Sequence, residues 1–264
     1  MTAAADEPVI YAQDGRRGVI TLNRPDRRNA MIWPMMEAMA ALLKRLRDDR
    51  SVDVLVLRGA GGNFCAGADI AALPSGPGGR IARHFERAPF YHMGRLLREM
   101  PQVTIAQVEG ACAGAGFAWA CACDLRYAAT DAVFATAFLN VAVAGDMGGA
   151  WLLPRLVGSA RAHELFFFPR KIDGAQAATI GLVNEVFASD ALAAAVDARS
   201  AELARRSPTA LRTMKANFLT AERTGFAEYT EIESARHALL SEGPDVKEAF
   251  EAFLAKREPQ FAGS

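Results

Sequence analysis

Two stretches of glycine and alanine could do chemistry without side chains: Cys65-Ala66-Gly67-Ala68-Asp69-Ile70 and Gly110-Ala111-Cys112-Ala113-Gly114-Ala115-Gly116. Each follows a β-branched run. What such segments offer is their backbone. Two N–H groups aimed at one point hold a carbonyl oxygen that gains negative charge during a reaction, and each such donor contributes about 3–4 kcal/mol. A lone carboxylate, Asp146, stands among small and apolar residues in Ala144-Gly145-Asp146-Met147-Gly148-Gly149. Burial there would disfavour its charged form and make it a better base. The same spacing fits an N-cap for a helix over 149–153, and the two roles are compatible.

Little else in the chain suggests a reactive centre. The four cysteines (Cys65, Cys112, Cys121 and Cys123) contain no Cys-x-x-Cys pair and sit among apolar or small residues, which predicts buried, reduced thiols in a cytoplasmic protein. The four histidines are scattered, so no metal site is expected. No Gly-x-Gly-x-x-Gly follows a strand and no phosphate-binding loop is present, which leaves nucleotide hydrolysis and nicotinamide chemistry unsupported. Lys+Arg and Asp+Glu both number 30, so no nucleic-acid or anionic-membrane partner is expected. The first residues include Asp6 and Glu7 and lack an apolar stretch, so no signal peptide is expected. The most apolar segment, 103–123, is interrupted by Glu109 and several glycines and reads as strand–loop–helix, not as a membrane span.

The elements that position these groups alternate. Val9–Tyr11 and Gly18–Leu22 read as strands joined at an Asp14-Gly15 turn. A helix is expected over 34–48, from the apolar spacing of Met35, Met39, Leu42, Leu43 and Leu46. Strands follow at 52–57, 103–108, 125–128 and 133–135, with a helical turn at 69–73 and helix through 118–121. Between them, Pro74–Gly79 reads as a flexible loop that could gate entry, and 81–100 as a helix broken at Pro89. Strand, loop and helix in this order predict an α/β architecture. Ser207-Pro208 then opens a run of three helices, 209–222, 228–240 and 244–256. With 264 residues and 51% hydrophobic content, the chain suits a core over 1–200 and a helical region over 201–264 whose apolar faces need a partner.

These segments resemble the crotonase, or enoyl-CoA hydratase/isomerase, superfamily over nearly the whole length. The likeness rests on five motifs in order: Ile20-Thr21-Leu22-Asn23-Arg24-Pro25; Phe64 to Ile70; Val108-Glu109-Gly110 through Cys123-Asp124-Leu125; Gly148 to Arg155; and Ala252-Phe253-Leu254-Ala255-Lys256-Arg257. The resemblance implies an α/β spiral of ββα units followed by C-terminal helices, in a homotrimer or homohexamer. It implies a CoA thioester as substrate and no prosthetic group. The oxyanion donors would be the N–H groups of Ala68 and Ala115, where the second position is usually glycine. Ala66, Ala68, Asp69 and Ile70 would hold the adenine end of CoA. Arg24 and Arg28 would contact its phosphates or pantetheine. Phe253 and Lys256 would help cover the nucleotide, from a neighbouring subunit if needed. Bland readings stand beside these: a solvated turn for Arg24 and Arg28, an ion pair or helix cap for Asp69, a surface charge for Lys256.

Family hydratases activate water with two glutamates. Their places here are Ala118 and Phe138, neither of which exchanges a proton. The pattern resembles most closely the 1,2-epoxyphenylacetyl-CoA isomerase branch, which keeps the aspartate matching Asp146 but has proline where Gly145 stands. The expectation is therefore an acyl-CoA isomerase with Asp146 as base. Alternatives are a hydratase or other lyase or hydrolase on the same scaffold, and an acyl-CoA-binding protein with little catalysis. Phe138 and Trp119 would wall the acyl pocket or simply fill the core. His84, Glu86 and His92 are candidate auxiliary acids or bases, or merely exposed helix residues.

Overall fold

A computed structural model describes residues 7–72 and 91–263. The loop at 74–79, Pro89, His84 and Glu86 lie outside the described residues.

The hairpin forms where expected. Strands β1 (Val9–Asp14) and β2 (Arg17–Leu22) pair antiparallel with Asp14 opposite Arg17, and Gly15 supplies φ +56° at the turn. Strands β3 (Val54–Gly59), β4 (Val103–Val108), β6 (Leu125–Ala129) and β9 (Glu185–Phe187) then add in parallel, giving the order β1-β2-β3-β4-β6-β9. Val54, Leu55, Val56 and Leu57 are all buried, as befits a parallel strand covered on both faces. Helix α1 (Trp33–Arg47) buries Met35, Met39, Leu43 and Leu46 in the same core. A second sheet, β5-β7-β8, is built from β5 (Ala111–Ala113), β7 (Val133–Ala135) and β8 (Ile172–Asp173).

Three sequence expectations need correction. The second small-residue stretch is not all loop, because β5 lies inside it, held by Cys65 N–H to Ala111 O (2.8 Å) and Val133 N–H to Gly110 O (2.7 Å). The helix after it, α3 (Ala115–Ala122), begins three residues before the expected 118. Helix α2 (Met93–Arg98) ends two residues short of 100. The region from 149 to 207 also holds elements that the apolar pattern did not separate. These are α4 (Gly149–Val157), α5 (Ser159–Phe167), α6 (Gly174–Thr179) and α7 (Leu192–Ala204), with β8 and β9 between them. The strands there are two and three residues long, too short for a period to show.

Helices α8 (Pro208–Ala221), α9 (Phe226–Ser241) and α10 (Pro244–Leu254) match the three expected at the C-terminal end. Ser207 Oγ accepts from Ala210 N–H, capping α8. Buried charges tie α8 to the N-terminal ends of the sheet strands. Asp53, 1% exposed, is held by Arg212 at 3.0 Å and by Arg16. Lys215 Nζ donates to Asp124 Oδ2 and Gln102 O, both at 2.7 Å. Burial pulls the Lys215 ammonium below its usual range and the Asp124 carboxylate opposes that shift. Among the described residues no helix is long and apolar enough to cross a membrane.

Removing Asp53 leaves two guanidinium groups without their shared carboxylate. Asp53→Ala is expected to lower the unfolding free energy by about 3–5 kcal/mol, read as a drop in the urea midpoint at pH 7. A midpoint within error of wild type would show that the pair is dispensable.

Candidate active site

The two small-residue stretches lie against each other at the C-terminal ends of β3 and β4. Cys65 N–H donates to Ala111 O at 2.8 Å and Ala113 N–H to Cys65 O at 2.9 Å. On the opposite edge of 65–69, Met31 N–H donates to Gly67 O (2.7 Å) and Asp69 N–H to Met31 O (3.0 Å). In a parallel ladder such bonds use the residues on either side, so the intervening Ala68 N–H points away from Met31, towards 113–115. Ala115 is the first residue of α3, where N–H groups have no intrahelical acceptor. Among the described residues neither Ala68 N–H nor Ala115 N–H has a protein acceptor.

Glycine makes this approach possible. A Cβ at Gly67 (φ +90°) would sit 2.9 Å from Ala113 O, and one at Gly116 would sit 2.5 Å from Cys65 O. The four cysteines are all buried and free. Burial pushes the thiols of Cys65, Cys121 and Cys123 up to about 12, so they stay protonated.

Asp146 lies on the loop between the 3-10 turn Phe138–Val141 and α4. That loop is strained: Ala142 (φ +58°) and Met147 (φ +52°) are left-handed without being glycine. Gly145 takes φ +113°, which proline cannot adopt. The N-cap alternative for Asp146 is overturned. Gly148, at φ +82°, occupies the cap position of α4 and no side chain caps that helix. Instead, among the described residues, Asp146 Oδ1 is sealed from solvent without a hydrogen-bond donor. Burial alone pushes the carboxyl up to about 6.

Apolar groups bracket this loop. The ring of Phe138 stacks on Phe166 with centroids 6.1 Å apart. A Cβ at Gly145 would meet Phe166 at 3.8 Å and Phe138 at 4.0 Å, and one at Gly149 would meet Ala118 Cβ at 3.4 Å. Ala118 and Phe138, the two positions without a carboxylate, are therefore neighbours of the Asp146 loop. Trp119 is fully buried in the core. His92 is the residue just before α2 and is exposed. Two further contributors gave no signal in the sequence. Phe166 forms half of the aromatic stack. Gly94 lets the Met147 carbonyl come so close that a Cβ would lie 1.9 Å from it.

The remaining candidates divide into two groups. Arg24 Nη2 meets Asp69 Oδ2 at 3.0 Å, and this hydrogen bond holds the Asp69 carboxyl below its usual range. Arg28 is exposed at φ +49°, with its carbonyl accepting from Ala66 N–H at 3.0 Å. Ile70 is 64% exposed beside them. These residues share one rim with Ala68. Phe253 and Lys256 do not join it through any hydrogen bond or ion pair among the described residues. Helix α10, which carries Phe253 and ends before Lys256 (φ +53°), is anchored through Asp245 to Ser207 (2.6 Å) and to Ala262 N–H (3.1 Å), and Phe253 is 81% exposed.

The enoyl-CoA hydratase/isomerase family model matches residues 16–264. The chain is 35% identical over 248 residues to 1,2-epoxyphenylacetyl-CoA isomerase of Escherichia coli strain K12, covering 92% of this chain and 94% of that protein. It is 29% identical over 254 residues to the peroxisomal Delta(3,5)-Delta(2,4)-dienoyl-CoA isomerase of Arabidopsis thaliana, covering 92% and 91%. Its structure matches that of an enoyl-CoA hydratase from Bacillus anthracis with a TM-score of 0.92 at 26% identity, covering 97% of this chain and all of that one.

The raised pKa of Asp146 has a consequence for stability. Native Asp146 keeps its proton to about pH 6, whereas the unfolded chain releases it near 3.8. Between those values the native state binds more protons, so this group favours folding below pH 4 and loses that contribution as pH rises through 6. Asp146→Asn is expected to be more stable than wild type at pH 8 by roughly 1–2 kcal/mol, allowing for partial exposure, with the gap closing at pH 4. Urea midpoints of both proteins at the two pH values check this. A gap of equal size at both would refute it.

Proposed function

Because this chain belongs to the enoyl-CoA hydratase/isomerase family, we propose that it is an acyl-CoA isomerase in which Asp146 moves the proton. The observation that carries this reading is the Asp146 carboxyl: partly buried, one oxygen without a donor among the described residues, and pushed up to about 6. It is flanked by Ala118 and Phe138 where a two-carboxylate hydratase would need acids.

The thioester carbonyl oxygen sits between Ala68 N–H and Ala115 N–H. Both donors are preorganised and otherwise unused, so they stabilise the enolate more than the ground-state carbonyl. The positive end of α3, which begins at Ala115, adds to the field. Asp146 takes a proton from the carbon next to the thioester. The electron pair of that C–H bond delocalises onto the carbonyl oxygen and along the conjugated chain. The same carboxyl then returns the proton two carbons further on, and the double bond moves towards the thioester. The Phe138–Phe166 stack keeps competing water away from the enolate.

CoA binding falls to the rim of Arg24, Arg28, Ala66, Asp69 and Ile70, with Arg24 held in place by Asp69. Phe253 and Lys256 complete that site from a neighbouring copy in a homotrimer or homohexamer. The exposure of Phe226, Phe250, Phe253 and Leu254 on the C-terminal helices supports such an assembly. The four protonated thiols suit the reducing cytoplasm.

Solvent deuterium incorporation next to the thioester reports enolate formation without the natural substrate. Asp146→Ala is expected to slow it by about 10²–10⁴-fold. The wild-type rate should rise with pH through about 6, as the carboxyl ionises, and then level off. Full exchange in the variant would rule out Asp146 as the base. Hydration of crotonyl-CoA outpacing isomerisation would point to a hydratase.

A further inference from the structure

Asn29 is fully buried and left-handed at φ +55°, a conformation that asparagine tolerates better than most side chains. Its amide is fully engaged. Nδ2 donates to Ala60 O (2.9 Å) and to Asn63 O (2.6 Å), and Oδ1 accepts from Arg24 N–H (2.8 Å). The reversed amide would set NH2 against that N–H and oxygen against two carbonyls, so only one orientation fits. Gly59 makes room for it: a Cβ there would lie 2.5 Å from Nδ2.

These bonds join two segments with different tasks. One is the turn 24–31, which carries Arg24 and Arg28 of the rim assigned to CoA above. The other leads into residues 65–69, which present Ala68 N–H. The two backbones run edge to edge, through Ala66 N–H to Arg28 O (3.0 Å) and Met31 N–H to Gly67 O (2.7 Å). Asn29 O also receives the Cys65 thiol at 3.1 Å. Asn63 extends the network, since its Oδ1 accepts from Ala111 N–H at 3.0 Å. A chain of hydrogen-bonded residues therefore runs from Arg24 through Asn29 and Asn63 to Ala111, at the start of β5.

The nucleotide end of a CoA ester takes no part in the bond changes. Its binding energy raises turnover only if the protein carries it to the reacting centre. A turn held rigidly to the Ala68 segment does so, because contacts made on the turn then fix where Ala68 N–H points. Loss of the amide would leave Arg24 N–H, Ala60 O and Asn63 O without the partners they have here.

We infer that Asn29 is a positioning residue: it couples CoA contacts at Arg24 and Arg28 to the placement of Ala68 N–H, so that the nucleotide end of the substrate speeds enolate formation. The inference rests on the acyl-CoA reading given above. Being fully buried, Asn29 acts through its neighbours.

The test is solvent deuterium exchange next to the thioester, with one acyl group carried either by CoA or by pantetheine, which lacks the nucleotide. In wild type kcat is expected to favour the CoA ester by about 10²-fold, the scale on which an ångström of misplacement acts. Asn29→Gly keeps the left-handed backbone and removes the amide. It should bring that ratio close to one, chiefly by slowing the CoA ester. Asn63→Ala removes the bond to Ala111 and leaves Arg24 and Asn29 paired. It should lower the ratio in the same direction, and it decides the matter if Asn29→Gly does not fold. A merely structural role would slow both esters equally and leave the ratio unchanged. That result, or equal turnover of the two esters in wild type, would overturn the proposal. Exchange on neither ester in wild type would instead remove the acyl-CoA isomerase reading, and this inference with it.

Discussion

The site depends on two backbones being closer together than side chains would allow. Residues 65–69 run between Met31 and 111–115, bonded on both edges. At 67 and 116 any Cβ would collide with the carbonyl of the facing strand. With hydrogen at those positions the two stretches meet at hydrogen-bond distance, and the N–H groups of Ala68 and Ala115 have no backbone acceptor among the described residues. The long parallel strands β3 and β4 fix where the stretches start, and α3 fixes where the second one turns away. The rest of the architecture supports that junction from behind: α7 covers the sheet, and α8 is riveted to the strand ends by Asp53 and Asp124.

The Asp146 carboxyl is held by a different device. Its loop combines left-handed backbone at Ala142, Met147 and Gly148 with a carbonyl lodged against Gly94. Within that loop Asp146 Oδ1 is buried with no hydrogen-bond partner among the described residues. The resulting mismatch, a sealed oxygen without a partner, raises proton affinity at one point and leaves the fold to offset it elsewhere. The aromatic stack of Phe138 and Phe166 borders the same loop at Gly145.

Much of this was legible in the residues. The apolar spacing of α1 and the Ser207-Pro208 start of α8 gave their elements directly, as did the β-branched runs of β3 and β4. The small-residue stretches, which carry almost no side-chain chemistry, mark where the two backbones come into contact. The elements between 149 and 207 were not legible, since β8 and β9 are shorter than any period and α5 follows α4 after a single glycine. The fate of Asp146 was also hidden. Its spacing suits a cap, and only the left-handed Gly148 shows that the cap position has moved past it. Phe166 and Gly94 reach the site through tertiary contact, which no local pattern encodes.

The buried cysteines give the scaffold a built-in reporter. Cys65 and Cys112 stand opposite each other where the two stretches meet, and Cys121 and Cys123 close α3. With thiols this buried and this reluctant to ionise, an alkylating reagent can reach them only when that region opens. Their labelling rate therefore measures the opening equilibrium of the junction itself, residue by residue, in the unmodified chain.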